Sequence, residues 1–154
     1  MDTDVKKAIV YYIKKRDFIK NINVTWYGGE PLLCMDIIEN MTNELLKLPI
    51  NYFADIVTNG YLLSKETFQK LQELKVSSIQ ITLDGLPATH NTRRPHATEK
   101  DSFERILSNL DAIIPIKDKT NISIRVNIDN ANKDEFPELY NMLQKRFGDA
   151  VFVY

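Results

Sequence analysis

The sequence contains a single cysteine, Cys34. One cysteine excludes an intramolecular disulfide, and it excludes a thiolate cluster built by this chain alone. Charge of one sign is also lacking: 20 Lys and Arg stand against 21 Asp and Glu, a net charge of −1. With no basic block, a nucleic-acid partner is not expected. No apolar run approaches the roughly 20 residues of a membrane span, so no membrane partner is expected either. Met1, Asp2, Thr3 and Asp4 do not read as a signal peptide. The lone cysteine is compatible with a reducing cytoplasm, and a cytoplasmic protein is the expectation. There is no low-complexity segment and no sequence repeat. What is present is ordinary: 154 residues, 44% hydrophobic and 27% charged. That suits one soluble domain, 1–154, with a real core.

Helical and strand patterns alternate along the chain. Val5, Ile9, Tyr12 and Ile13 recur at helical spacing. A short apolar run at 22–26 reads as a strand. Met35, Ile38, Met41, Leu45 and Leu48 mark a second helix, stopped before Pro49. A strand at 53–57 follows. Ser64 can cap a third helix that buries Phe68, Leu71 and Leu74. A strand at 78–83 leads into a loop at 86–100, the longest connection. Asp101 with Glu104 resembles a capping box for a helix burying Phe103, Ile106, Leu107, Leu110, Ile113 and Ile114. A strand at 122–128 precedes a helix capped by Asp134, with Pro137 in its first turn. Leu139, Tyr140, Leu143 and Phe147 face inward there, and Gly148 ends it. A last strand starts at 151. Five strands and five helices in strict alternation, with units of about 30 residues, imply a parallel α/β sheet.

The strands are apolar on one face only. Ile122, Ile124, Val126 and Ile128 alternate with Ser123, Arg125, Asn127 and Asp129. Ile79, Ile81 and Leu83 alternate with Gln80, Thr82 and Asp84; Ile22, Val24 and Trp26 with Asn23 and Thr25. A parallel strand covered by helices on both faces is apolar on both. The second face here must look into something wet or ligand-filled. That predicts an open, wide-mouthed partial barrel instead of one packed with branched aliphatics.

The chain is organised around Trp26-Tyr27-Gly28-Gly29-Glu30-Pro31 at the end of the first strand. Paired glycines let backbone approach a ligand, because no Cβ stands in the way. Glu30 sets a carboxylate at the strand mouth, where ligands of open α/β sheets sit. Pro31 biases Glu30 away from the helical region. Two later stretches lie at strand ends: Thr58-Asn59-Gly60, and Thr82-Leu83-Asp84-Gly85 followed by His90, Asn91 and Arg94.

In this order and spacing, the three stretches resemble the radical S-adenosylmethionine (SAM) superfamily. More narrowly they resemble its peptide- and protein-modifying branch, which includes the anaerobic sulfatase-maturating enzymes and carries SPASM-type extensions. The resemblance implies a partial (β/α)6 barrel, of which this chain supplies strands 2–6 and lacks the first strand and last helix. It also implies two cofactors, SAM and a [4Fe-4S] cluster. The family's Cys-x3-Cys-x2-Cys cluster loop is absent: Cys34 lies after Gly-Gly-Glu, not before it. The chain therefore reads as a truncated core, inactive alone. The implied activity is oxidoreductase chemistry, hydrogen abstraction by a 5′-deoxyadenosyl radical, in peptide or protein modification such as sulfatase maturation. A peptide or protein substrate and a reductant such as flavodoxin or ferredoxin would be its partners.

Carried over residue by residue, Gly28, Gly29 and Glu30 would receive the methionyl ammonium, which needs acceptors. Arg94 would pair with the SAM carboxylate through its two-donor fork, with Thr82 nearby. Arg93 is the alternative arginine. Thr58 and Asn59 would line the site, and Asn127 would bond the ribose hydroxyls. Arg125 reads equally as a substrate contact or as an ion pair with Asp55 or Asp84. His90 and His96 lack a carboxylate at metal spacing; His90 reads as a loop tether. Cys34 reads as a small half-buried residue near a helix start. Two other readings stand beside the enzyme. One is a non-catalytic SAM-fold domain that has lost the cluster and binds a ligand or partner. The other is a phosphate-binding βα barrel, which predicts a Gly-rich phosphate loop near the last strands that this sequence does not contain.

Overall fold

The computed structural model describes residues 3–95 and 101–154. His96 and the end of the 86–100 connection lie outside the described residues. The elements are α1 (Thr3–Lys14), β1 (Asn21–Trp26), α2 (Met35–Leu45), β2 (Asn51–Thr58), α3 (Lys65–Glu73), β3 (Val76–Thr82), α4 (Pro87–Arg93), α5 (Ser102–Ile113), β4 (Asn121–Arg125), α6 (Phe136–Phe147) and β5 (Phe152–Val153). Short 3-10 turns link several of them. The five strands form one sheet in the order β1-β2-β3-β4-β5, all pairs parallel. Sequential parallel order is the progression of a barrel wall, not of a doubly wound sheet.

One face of the sheet is apolar and covered. Ile56, Ile79 and Ile122 stand side by side, as do Ile81, Ile124 and Val153. All six are buried, against Phe68 and Leu71 of α3, Phe103, Ile106, Leu107 and Leu110 of α5, and Leu139 and Leu143 of α6. The other face carries Thr25, Asp55 and Ser78 in one row, then Val57, Gln80 and Ser123, then Thr82 and Arg125. The expected polar wall is there, with one addition: Phe53, Phe152 and Tyr154 are exposed on it. The Tyr154 hydroxyl donates to Gln80 Oε1 at 2.7 Å, and its ring stacks on Phe152.

Local chemistry explains most boundaries. Ser64 Oγ accepts from the Thr67 N–H at 3.2 Å, and Asp101 Oδ1 from the Glu104 N–H at 3.1 Å, so both expected caps are made. Gly148 ends α6 at φ +53°. The predicted cap Asp134 does not cap; it sits in a 3-10 turn (Lys133–Glu135) that feeds α6. Tyr140 is exposed rather than inward, and Ile114 is only half-buried because the chain turns at Pro115. Strand β4 stops at Arg125, before the expected 128. Beyond it the Asn127 N–H turns to the Asp84 carboxylate, and Ile128 is exposed. Val5, Ile9 and Tyr12 of α1 are likewise exposed, so the first apolar stripe is not core.

Helix α4 lies where the sequence predicts only loop. Its residues carry no apolar period, and Thr and Asn favour turns over helix interiors. It is held by tertiary contacts: Glu135 accepts from the Leu86 N–H and from the Thr89 hydroxyl, and His90 is fully buried.

The turn after β2 is equally constrained. Gly60 has φ +79°, and a Cβ there would stand 2.9 Å from Ile81 Cγ2 and 3.2 Å from Ile106 Cγ2. Buried Asn109 donates to the carbonyls of Gly60 and Tyr61, both at 2.9 Å. Gly60→Ala is expected to lower unfolding free energy by about 2–4 kcal/mol, from left-handed strain and overpacking together. Ser64→Ala, which removes only a cap, is expected to cost about 1 kcal/mol. Denaturant titration measures both.

Candidate functional site

Parallel strands place all their C-terminal ends on one rim, so the loops after β1, β2, β3 and β4 converge there. A cavity of about 340 Å³ lies at that rim, lined by Tyr27, Gly28, Gly29, Val57, Thr58, Asn59, Thr82, Arg94, Arg125 and Asn127. Seven of the eight candidate residues line it. The eighth, Glu30, lies behind the wall. A larger cleft of about 580 Å³ between α1 and α2 is lined by lysines and apolar side chains; none of the three rim stretches reaches it.

Gly28 and Gly29 have φ +109° and +42°. Nothing lies within 4 Å of a Cβ built on either, so their backbone faces open cavity. Glu30 is fastened rather than free. Its Oε1 accepts from the Leu32 N–H at 3.0 Å and the Thr58 hydroxyl at 2.7 Å; its Oε2 accepts from the Asn59 N–H at 2.7 Å. One carboxylate thus joins the mouths of β1 and β2. Thr58 is buried, donating to Glu30 and accepting from the Gly60 N–H. Asn59 Oδ1 accepts from the Tyr61 N–H, closing an Asx turn.

The second cluster surrounds Asp84, which is 5% exposed. Its Oδ2 accepts from Arg94 Nε at 2.6 Å. Its Oδ1 accepts from Asn127 Nδ2 at 2.8 Å and from the Asn127 N–H at 3.2 Å. Burial pushes the Asp84 carboxyl up, but Arg94 and Asn127 outweigh it and hold it below the usual carboxylate range. Arg93 is engaged elsewhere, on both oxygens of Asp129. Arg125 makes neither ion pair the sequence offers: Asp84 is taken by Arg94 and Asn127, and Asp55 accepts from Asn23. Thr82 stands beside Arg125 on the cavity wall. Asn132 is buried and donates to the carbonyls of Asp84 and Asn127, locking the loops after β3 and β4 together.

His90 tethers α4 to the end of β3: its Nδ1 accepts from the Asp84 N–H at 3.1 Å. The proton of the neutral ring is therefore on Nε2, which is buried without a partner among the described residues. Among the described residues, no group of three or more His, Cys, Asp or Glu could hold a metal. Cys34 is exposed, not half-buried, in the 3-10 turn before α2. Asp84 stands in the third rim stretch but was not among the expected site residues. The available signal was a carboxylate at the same strand mouth as Arg94. Glu135 gave no signal, since Leu86 and Thr89 lie more than 40 residues away; nor did the bond from Asn132 to the equally distant Asp84 carbonyl.

An open parallel wall whose rim cavity is lined by glycine backbone, hydroxyl and amide side chains and two arginines is that of a barrel-type domain with a polar ligand site. Residues 2–143 match the profile of the Radical SAM superfamily, and the chain belongs to that superfamily. The superfamily's cofactors are SAM and, characteristically, a [4Fe-4S] cluster. A cysteine-type anaerobic sulfatase-maturating enzyme from Clostridium novyi (strain NT) is 27% identical over 150 residues, 95% of this chain and 38% of that protein. A GTP 3′,8-cyclase from Petrotoga mobilis is 32% identical over 99 residues, 64% of this chain and 28% of that protein. Among solved structures, native anSMEcpe with bound AdoMet and Kp18Cys peptide superposes with TM-score 0.81 at 19% identity, over 99% of this chain and 42% of that one. The fold is thus the radical SAM partial barrel. The chain spans well under half the length of these relatives. Among the described residues, no helix is long and apolar enough to cross a membrane.

The donor set fits SAM. Backbone acceptors at Gly28 and Gly29, and the Nη groups of Arg94 and Oδ1 of Asn127, which have no partner among the described residues, match an ammonium, a carboxylate and a diol. It does not fit a cluster, which needs thiolates: one exposed cysteine cannot supply them.

Burial, aided by the Arg94 charge, lowers His90 from 6.5 to about 4. Between those values the unfolded chain binds a proton that the fold refuses, so stability is complete above pH 6.5. It falls as pH drops toward 4 and levels off below, by at most about 3 kcal/mol. The thermal midpoint is expected to decline across that window, and His90→Gln to flatten the decline.

Proposed function

We propose that these residues form the SAM-binding part of a radical SAM enzyme that modifies a peptide or protein, sulfatase maturation being the model reaction. The carrying observation is the single cavity that joins the Gly28-Gly29 backbone to Arg94 and Asn127. SAM, when bound and given one electron from outside these residues, would supply hydrogen-atom abstraction from the substrate. The chain's own work is to bind and orient it. The Gly28 and Gly29 carbonyls accept from the ammonium, Arg94 grips the carboxylate, and Asn127 accepts from a ribose hydroxyl. Glu30 braces the wall from behind by holding the Thr58-Asn59 turn in place.

On this reading the cluster's thiolates come from outside these 154 residues, as does electron supply by a flavodoxin- or ferredoxin-like reductant. The sulfatase-maturating relative and the peptide-bound neighbour support a peptide substrate. The enzyme is read as cytoplasmic, with no nucleic-acid or membrane partner. A non-catalytic ligand-binding domain remains the rival, and only redox chemistry of the full-length protein separates it.

A second assignment follows from Arg125. It lines the cavity and has no ion pair among the described residues. It, in place of Arg94, is then available to the ligand carboxylate or to an acidic group of the substrate.

In the full-length protein, Glu30→Ala and Arg94→Ala are each expected to weaken SAM binding about ten- to a hundredfold, the scale of one charge-assisted hydrogen bond. Calorimetry with Arg125→Ala as the third arm tests both assignments. Unchanged affinity in Glu30→Ala and Arg94→Ala removes the first; a loss confined to Arg125→Ala establishes the second. Anaerobic reconstitution of the 154-residue chain with iron and sulfide is expected to give no iron–sulfur absorbance and no SAM cleavage.

A further inference from the structure

We propose that Asp84 is the positioning residue of the site: one buried carboxylate aims both Arg94 and Asn127 at the cavity. The inference rests on the SAM reading and adds to it a residue that does not line the cavity.

Asp84 is itself fixed on every side. Its N–H donates to His90, its carbonyl accepts from Asn132, and both carboxylate oxygens are occupied. A carboxylate so held is a rigid reference point. Arg94 reaches it through Nε, so its guanidinium plane is set and Nη1 and Nη2 stay free of any bond among the described residues. Those are the two parallel donors that a ligand carboxylate needs. Asn127 is oriented by the same logic. An ionised carboxylate only accepts, so the amide must present Nδ2 to Asp84 and Oδ1 to the cavity. An acceptor at that point selects a hydroxyl donor. The two residues come from different segments, the end of α4 and the chain past β4. Asp84 is the group that bonds to both side chains.

Charge and geometry predict opposite signs. Asp84 is a negative group beside the arginine that would hold an anion. If its influence were only Coulombic, removing the charge would tighten anionic ligands. If it positions, removing it loosens them. Asp84→Asn separates the two. The new amide keeps an acceptor for Asn127 but can turn an N–H toward Arg94 Nε, donor against donor.

The test is calorimetry on the full-length protein with SAM and with its decarboxylated analogue, which has no carboxylate for Arg94. Asp84→Asn is expected to weaken SAM about tenfold or more, the scale of a misplaced charge-assisted contact. The analogue, which lacks that contact, is expected to change much less. In an Arg94→Ala background the same change is expected to add little for SAM, a non-additivity that marks action through Arg94. Equal losses for both ligands, additive with Arg94→Ala, would show a merely structural role and overturn the proposal. So would unchanged or tighter SAM binding. If Asp84→Asn does not fold by circular dichroism, Asp84→Glu carries the test. It keeps the charge but moves the carboxylate by one methylene, and the same ligand difference is expected. Wild-type protein that binds neither ligand overturns the SAM reading and this inference together. Wild-type binding with an indifferent Asp84 overturns this inference alone.

Discussion

Helices cover one face of a wholly parallel sheet, and the rest of the structure follows from that constraint. Parallel direction puts every strand's C-terminal end on one rim. Residues far apart in the chain, Gly28, Asn59, Thr82 and Asn127, therefore line one cavity. One-sided coverage leaves the second face to solvent or ligand. It can keep Thr25, Gln80, Ser123 and Arg125, side chains that a second helical layer would exclude.

Irregular loops at such a rim carry backbone N–H groups that need partners. Two carboxylates meet that need here. Glu30 accepts from the backbone of Leu32 and Asn59 and from the Thr58 hydroxyl; Asp84 accepts from Asn127 and Arg94. Each joins neighbouring strand mouths, so the cavity wall is a braced ring of loops. Cationic groups are treated differently: Arg94 is half-engaged, and Arg125 is left open to the cavity. The wall keeps the Glu30 and Asp84 carboxylates bonded within it and leaves its arginines on the cavity side.

Membership of the radical SAM superfamily and the partial-barrel fold agree with one another. The cluster stands apart. Its thiolates have no counterpart on these residues, and Cys34 is exposed beyond the glycine pair.

Much of the fold was legible because its signals are local. Alternating apolar residues marked the covered face of three of the five strands, at 22–26, 78–83 and 122–128. Ser64 and Asp101 announced their caps, and Gly148 its helix end, because each acts within four residues of itself. The three rim stretches were legible for the same reason: glycine pairs, Asn-Gly and Asp-Gly are chemistry of adjacent residues. Tertiary structure alone decided what depends on distant partners. Helix α4 exists because Glu135 and a buried His90 hold a segment with little helical preference. Strand β4 ends early because Asp84, more than 40 residues back, captures the Asn127 amide. Arg94 rather than Arg93 faces the cavity because Asp129 takes the other. Hydrogen bonds across such separations leave no period or spacing in the chain, so only the folded arrangement could choose them.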